Sequence, residues 1–191
     1  MRMRVRSLSL FAAALLAVGL FGGAAFQQDS PYYLTPGSEA PSFEGVTDDG
    51  AEVSLEAMLE EGPVFLVFWK ESCPHNPRAM PSFNALKEGY GEEVQLLGVV
   101  RAAPEDTKDW AEQFDAAFPL LPDPEEKVIL DYRTAFSIAT FQIGQDGKIA
   151  KVFEGYGQDE LKALNQAMAG AAGTAPIELD MSRIPSRQTW G

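Results

Sequence analysis

Val64-Phe65-Leu66-Val67-Phe68-Trp69-Lys70-Glu71-Ser72-Cys73-Pro74-His75-Asn76-Pro77-Arg78 is the stretch on which the fold of this chain turns. Its first six residues are apolar, aromatic and β-branched and follow Gly62-Pro63, a pattern that predicts a short buried strand. The run then gives way to a helix start, with Pro74 suited to the first helical position and Cys73 just ahead of it. A thiol at that place faces the positive end of a helix macrodipole and backbone N–H groups that have no partner within the helix. Both favour thiolate over thiol. Cys73 is the only cysteine in the chain, and composition alone supports the opposite reading, a small buried hydrophobe. The strand-to-helix position favours an accessible thiol of lowered pKa, which makes Cys73 the candidate catalytic residue.

Outward from this stretch the pattern is α/β. The helix is expected to run through Phe83, Leu86 and Tyr90, to kink at Pro81 and to end at Gly89 and Gly91. Val94 to Val100 reads as a second apolar strand, so strand, helix and strand form a βαβ unit with a parallel pair. Pro104 to Phe114, with acids at its start, reads as the next helix. Phe118 to Leu121 follows as a short extended piece and Glu125 to Tyr132 as a helix. Thr140 to Ile143 and Ile149 to Phe153 form a hairpin about Asp146-Gly147. A last helix from Gln158 to Ala169 buries Leu161, Leu164 and Met168. Upstream, Phe43 to Val46 and Glu52-Val53 flank Asp48-Asp49-Gly50, and Ser54 caps a short helix that carries Leu55, Met58 and Leu59 on one face.

The ends differ from this body. Arg2, Arg4 and Arg6 precede an apolar stretch from Leu8 to about Phe21 and then Gly22-Gly23-Ala24-Ala25, the order of a secretory signal. Residues 1–25 are read as a signal peptide, or as an uncleaved N-terminal membrane anchor if the apolar segment continues to Phe26. Both place the folded part outside the cytoplasm: periplasmic, secreted, or tethered to the outer side of the membrane. Residues 26–35 are a linker, 36–172 the domain and 173–191 a C-terminal tail. The tail is read as loosely attached, although Ile177, Leu179, Met181, Ile184 and Trp190 offer apolar groups for docking. Without the three leader arginines the formal charge falls from −13 to −16, which argues against nucleic-acid binding. One cysteine cannot make an intrachain disulfide, and an exported thiol is open to oxidants unless it is buried or used.

The order of elements resembles the thioredoxin fold and, more narrowly, the exported redoxin group (AhpC/TSA-redoxin, TlpA-like) that includes membrane-tethered thiol-disulfide reductases of cytochrome maturation. The resemblance is carried by Gly37-Ser38-Glu39-Ala40-Pro41-Ser42-Phe43, Asp49-Gly50 with Val53-Ser54-Leu55, Val67-Phe68-Trp69 leading to Cys73-Pro74, and Met80-Pro81. Phe141-Gln142-Ile143 with Asp146-Gly147-Lys148-Ile149 completes it. It spans residues 36 to 170 and implies a three-layer α/β/α sandwich with a central mixed sheet and an N-terminal β-hairpin extension.

Three departures fall on the chemistry. The second cysteine of the family's C-x-x-C motif is Asn76 here. The family's cis-proline, which lies opposite the thiol and whose backbone pairs with bound substrate, aligns with Ile138. The polar residue under the family's thiol is Val67. A dithiol reductase attacks a disulfide with one thiolate and releases its substrate with the second, so Cys73 alone leaves a mixed disulfide that an outside thiol must resolve. Around it, Trp69, Pro74, His75, Asn76 and Ile138 are the candidate neighbours. Trp69 is expected in the core or at its rim. His75, the only histidine, either tunes the thiol when protonated or simply faces solvent. Asn76 either donates to the thiolate or is a plain polar first-turn residue. No cofactor is implied, and a metal on Cys73 and His75 lacks further ligands.

Two functions compete: thiol-disulfide exchange at a single-cysteine site with protein or low-molecular-weight thiols, and a non-catalytic thioredoxin-fold binding or scaffold module. A thiol peroxidase is a third reading. Against it, Lys70 stands where such sites carry threonine, and nothing assigns Arg101 or Arg133 to a peroxide.

Overall fold

The computed structural model describes residues 34–134 and 136–189. The leader, the linker up to residue 33, and Trp190 lie outside the described residues. The elements run in the order β1 (Glu44–Val46), β2 (Glu52–Ser54), α1 (Leu55–Glu61), β3 (Val64–Trp69), α2 (Asn76–Tyr90), β4 (Gln95–Val100) and α3 (Pro104–Gln113). They continue as β5 (Leu120–Pro122), α4 (Lys127–Asp131), β6 (Ala139–Ile143), β7 (Ile149–Glu154) and α5 (Gln158–Ala172).

Every residue of β3 is buried, and the strand sits at the centre of a mixed sheet ordered β5-β4-β3-β6-β7. Its side chains alternate between two cores, as the two-residue period of a strand dictates. Phe65, Val67 and Trp69 join Met80, Phe83, Trp110, Leu161 and Met168 under α2, α3 and α5. Val64, Leu66 and Phe68 join Leu55, Val128, Ile129, Tyr132 and Phe141 under α1 and α4. Strands β3, β4 and β5 are parallel neighbours, whereas β6 pairs antiparallel with β3 and β7 antiparallel with β6. The result is the thioredoxin-like α/β/α sandwich, with β1 and β2 as a separate antiparallel pair.

Local chemistry explains the boundaries. Ser54 caps α1 by accepting from the Ala57 N–H at 3.2 Å. Gly50, at φ 88, makes the β1–β2 turn, and the Asp49 carboxylate accepts there from Thr47 and from the Ala51 N–H. Helix α4 starts two residues later than its sequence pattern suggests because Glu126 takes a left-handed conformation, φ 58, that a helix cannot contain. The Tyr132 hydroxyl donates to the Pro41 carbonyl at 2.9 Å, and its burial raises the pKa of the phenol.

Both outer strands meet irregular backbone. The N–H of Leu120 in β5 donates to the Asp48 carboxylate and its carbonyl accepts from the Asp48 N–H. Residues 37–40 pair with 147–149 at the start of β7, and Thr189 pairs with Tyr156 just beyond its end.

The tail is docked, in contrast to the loose extension expected. Ile184 is buried, and Ile177, Leu179 and Met181 pack on the α2/α3/α5 core. Asn165 Nδ2 donates to the Ile177 carbonyl at 2.8 Å, and Gln158 Nε2 donates to the carbonyls of Met181 and Ile184. These bonds come from side chains of α5, so the tail is held by residues outside itself.

Two predictions follow from packing and charge. A Cβ on Gly98 would lie 2.4 Å from Leu120 Cδ2 and 3.1 Å from Phe118 Cε2. Gly98→Ala should therefore lower the urea midpoint by an amount equivalent to about 1–3 kcal/mol with an unchanged slope. The Asp49 pKa is lowered, first by the Thr47 hydroxyl and then by the Ala51 N–H. Its contribution to stability is present above the unfolded carboxylate value of about 4 and is lost as pH falls through the lower folded value. Asp49→Asn should flatten the acid limb of a stability-versus-pH curve and leave the slope near neutrality unchanged.

Candidate functional site

The turn after β3 carries the thiol. The chain leaves the sheet at Trp69, turns at Cys73 with its N–H donating to the Lys70 carbonyl at 3.0 Å, and enters α2 at Asn76. This corrects the expectation of a helix starting at Pro74. Pro77 has no N–H to give the Cys73 carbonyl, so the i→i−4 ladder cannot reach back that far. The Cys73 carbonyl accepts instead from the Asn76 N–H at 3.2 Å, and the first full helical bond runs from Ala79 to His75. Cys73 thus sits on a turn, two residues before the N-cap His75 and outside the helix.

The thiol is not exposed as the sequence suggested. Cys73 is 6% exposed, whereas Glu71, Ser72 and Pro74 beside it face solvent. His75 occupies the N-cap position, and its side chain makes no capping hydrogen bond. Asn76 is fully buried. Its Nδ2 donates to the carbonyls of Lys70 at 2.7 Å and Glu71 at 3.4 Å, so the buried amide is neither a donor to the thiol nor a plain first-turn polar group, the two readings its position had left open. Asn76 therefore pins the 70–73 turn to the start of α2, and its Oδ1 has no hydrogen-bond partner.

Val67 is fully buried within β3 and pairs with Gly98 on one side and Thr140 on the other, so the position aligned with the family's polar residue is an apolar core side chain. Trp69 is a core residue, stacked edge-on to Phe83 at 5.1 Å and tilted on Trp110 at 5.6 Å. Ile138 is buried, and the Ser137–Ile138 peptide is cis although no proline is present. The Ser137 hydroxyl accepts from the Lys70 N–H at 3.2 Å, which ties this loop to the end of β3. Arg101 pairs with Glu126 at 2.6 Å, so this arginine is engaged in an ion pair.

Beside the tied loop lies a cleft of about 160 Å³ whose lining includes Trp69, Lys70, Arg101, Leu130, Phe136 and Ser137. Leu130 is 66% exposed and Phe136 39%; with Val46 they are the exposed large hydrophobic residues among those described. Sequence reasoning missed Ser137, Leu130 and Phe136. Ser137 was within reach, being adjacent to the aligned position of Ile138. Leu130 was hidden because it lies in a short apolar helix whose exposed face only the packing reveals.

The sequence profile of the AhpC/TSA family matches residues 36–152. The thiol-disulfide oxidoreductase ResA of Geobacillus thermodenitrificans is 33% identical over 121 residues, 62% of this chain and 69% of that protein. Among solved structures, a protein described as a thiol:disulfide interchange protein, DsbE, of Chlorobium tepidum superimposes with a TM-score of 0.66 at 25% identity, covering 73% of this chain and 99% of the other. The exposed lipoprotein thioredoxin Etrx1 of Streptococcus pneumoniae does so with a TM-score of 0.60 at 23% identity, covering 68% and 99%. The sheet order, the Cys-Pro turn after the central strand and the profile match agree, and the chain belongs to the AhpC/TSA family of thioredoxin-like proteins.

Proposed function

We propose that this protein is an exported thioredoxin-like protein that performs thiol-disulfide exchange through Cys73 alone. The observation that carries the reading is the placement of Cys73 on the turn between the central strand and α2, beside the loop at Ser137–Ile138. The basic, apolar and small-residue order of residues 1–25 supports export. In the exchange, the Cys73 thiolate attacks a disulfide R–S–S–R′, forming Cys73–S–S–R and releasing R′S⁻. An outside thiolate R″S⁻ then attacks the mixed disulfide, forming R–S–S–R″ and returning Cys73 as thiolate. Electrons balance without net oxidation of the protein, and the partners are protein or low-molecular-weight thiols. Val67 cannot carry protons, so protons enter and leave through solvent when the turn opens.

The burial of Cys73 favours a second reading, in which the fold serves as a binding or scaffold module and the thiol is a packed side chain. The two differ in what Cys73→Ser does. Under exchange, Cys73→Ser abolishes every mixed disulfide trapped from cells and the release of chromophore from an aromatic disulfide. Retention of all captured partners by the Ser variant establishes the module reading instead.

Asn76→Cys restores a second thiol two residues beyond Pro74. It should shorten the lifetime of a preformed mixed disulfide at Cys73 by at least an order of magnitude, because an intramolecular thiol acts at high effective concentration. It should also cost about 1–3 kcal/mol in stability through the lost bonds to Lys70 and Glu71. Mass spectrometry of the adduct over time and urea denaturation check both.

The cleft rimmed by Leu130 and Phe136 supplies apolar contact for a protein partner but is not needed by a small thiol. Leu130→Asp with Phe136→Asp should reduce trapped protein adducts several-fold, on the scale of one or two lost apolar anchors. Reaction with glutathione disulfide should be unchanged.

A further inference from the structure

The thiol is closed off, and beyond the Asn76 pin its turn leads into a helix whose first two turns lack part of their own ladder. Pro77 and Pro81 lie in the first two turns of α2, and neither has an N–H. The carbonyls of Cys73 and Pro77 therefore receive no i→i−4 bond from them. A side chain from another element holds this end. Tyr156, buried on the connection from β7 to α5, donates through its hydroxyl to the Arg78 carbonyl at 2.9 Å and meets Ser82 Oγ at 3.1 Å.

Tyr156 is fixed in turn by the tail. Its N–H donates to the Thr189 carbonyl and its carbonyl accepts from the Thr189 N–H, each at 2.9 Å, with the Thr189 hydroxyl donating to the same carbonyl. On either side, the Gln188 amide donates to the Glu154 carbonyl and the Gln158 N–H to the Pro185 carbonyl. Between the tail and α2 lies a cleft of about 270 Å³, lined by Pro77, Arg78, Pro81 and Ser82 on one side and Asp180, Arg183 and Ile184 on the other. The first turns of α2 thus border open space, and whereas Asn76 and Ser137 hold the 70–73 turn itself, Tyr156 ties these helical turns to the rest of the fold.

We propose that residues 177–189 are an autoinhibitory strap: seated on α5 and on Tyr156, they hold the first turns of α2 in place and keep Cys73 closed, and their release opens the thiol. The inference rests on the reading of Cys73 as the reactive group. Opening then becomes a local event with its own equilibrium, separate from global unfolding.

The test is native-state alkylation of Cys73 by iodoacetamide in the full chain, followed by intact mass. Tyr156→Phe removes the hydroxyl link and keeps the ring, and Thr189→Pro removes the Thr189 N–H and hydroxyl. Each should accelerate alkylation about tenfold, the scale of one lost buried hydrogen bond acting on a local opening. The double variant should be no faster than the quicker single one, since both act along one chain of contacts. Leu55→Ala, on the opposite face of the sheet, reports global opening and should leave the rate within about twofold. An unchanged rate in Tyr156→Phe overturns the proposal whether or not Thr189→Pro folds. Equal acceleration by Leu55→Ala overturns it too. Iodoacetamide needs no disulfide substrate, so a wild-type protein that obeys these rates yet never forms a mixed disulfide defeats the exchange reading and leaves the strap standing.

Discussion

The structure depends on one constraint: a six-residue strand, β3, with no side chain in solvent. A strand buried on both faces needs a hydrogen-bonded neighbour on each edge and a helical layer over each face. The chain supplies β4 and β6 as neighbours, and α2, α3 and α5 against α1 and α4 as layers. Fully burying side chains of this size is worth about 1.5–3 kcal/mol each, so few alternative placements of β3 can compete. Because β3 is fixed, the residue that follows it at the sheet's C-terminal end is fixed as well, and the turn carrying Cys73 begins from a rigid base.

From that base the site is defined by what cannot be donated. Pro77 withholds the N–H that would draw Cys73 into the helix, and Asn76 uses its amide on the carbonyls of Lys70 and Glu71. A cysteine in the place of Asn76 could make neither of these bonds. The residue that removes the second thiol therefore also stabilises the turn of the first.

The sequence disclosed the sheet well and the connections less well. Strand β3 was legible because aromatic and β-branched residues follow Gly62-Pro63 without a break, and the β6–β7 hairpin because Asp146-Gly147 marks its turn. The helix start was not, since Pro74 and Pro77 both suit an N-terminal turn, and the choice falls to the Asn76 side chain acting on a segment five and six residues away. The absence of proline at 138 was plain; the cis bond before Ile138 was not, because such bonds are rare without proline. The tail's docking was half legible: the apolar Ile177, Leu179, Met181 and Ile184 could be picked out, but the polar groups that hold it belong to Asn165, Gln158 and Tyr156. No pattern within residues 177–189 announces them.

The irregular backbone along the two outer strands has a consequence for how copies of this protein meet. Unsatisfied strand edges invite another chain to add on, and long exposed edges lead to aggregation. Here Asp48 occupies the outer side of β5 at Leu120, and residues 37–40 and Thr189 occupy the two ends of β7. Among the described residues, what stays open on β7 is a short central stretch where Lys151 is exposed, its ammonium 4.8 Å from the ring of Phe153. A lysine on a short edge is a deterrent to edge-to-edge pairing. Among the described residues the sheet therefore leaves little edge for such pairing, and side-chain surfaces such as the cleft beside Ser137 are the places left for contact.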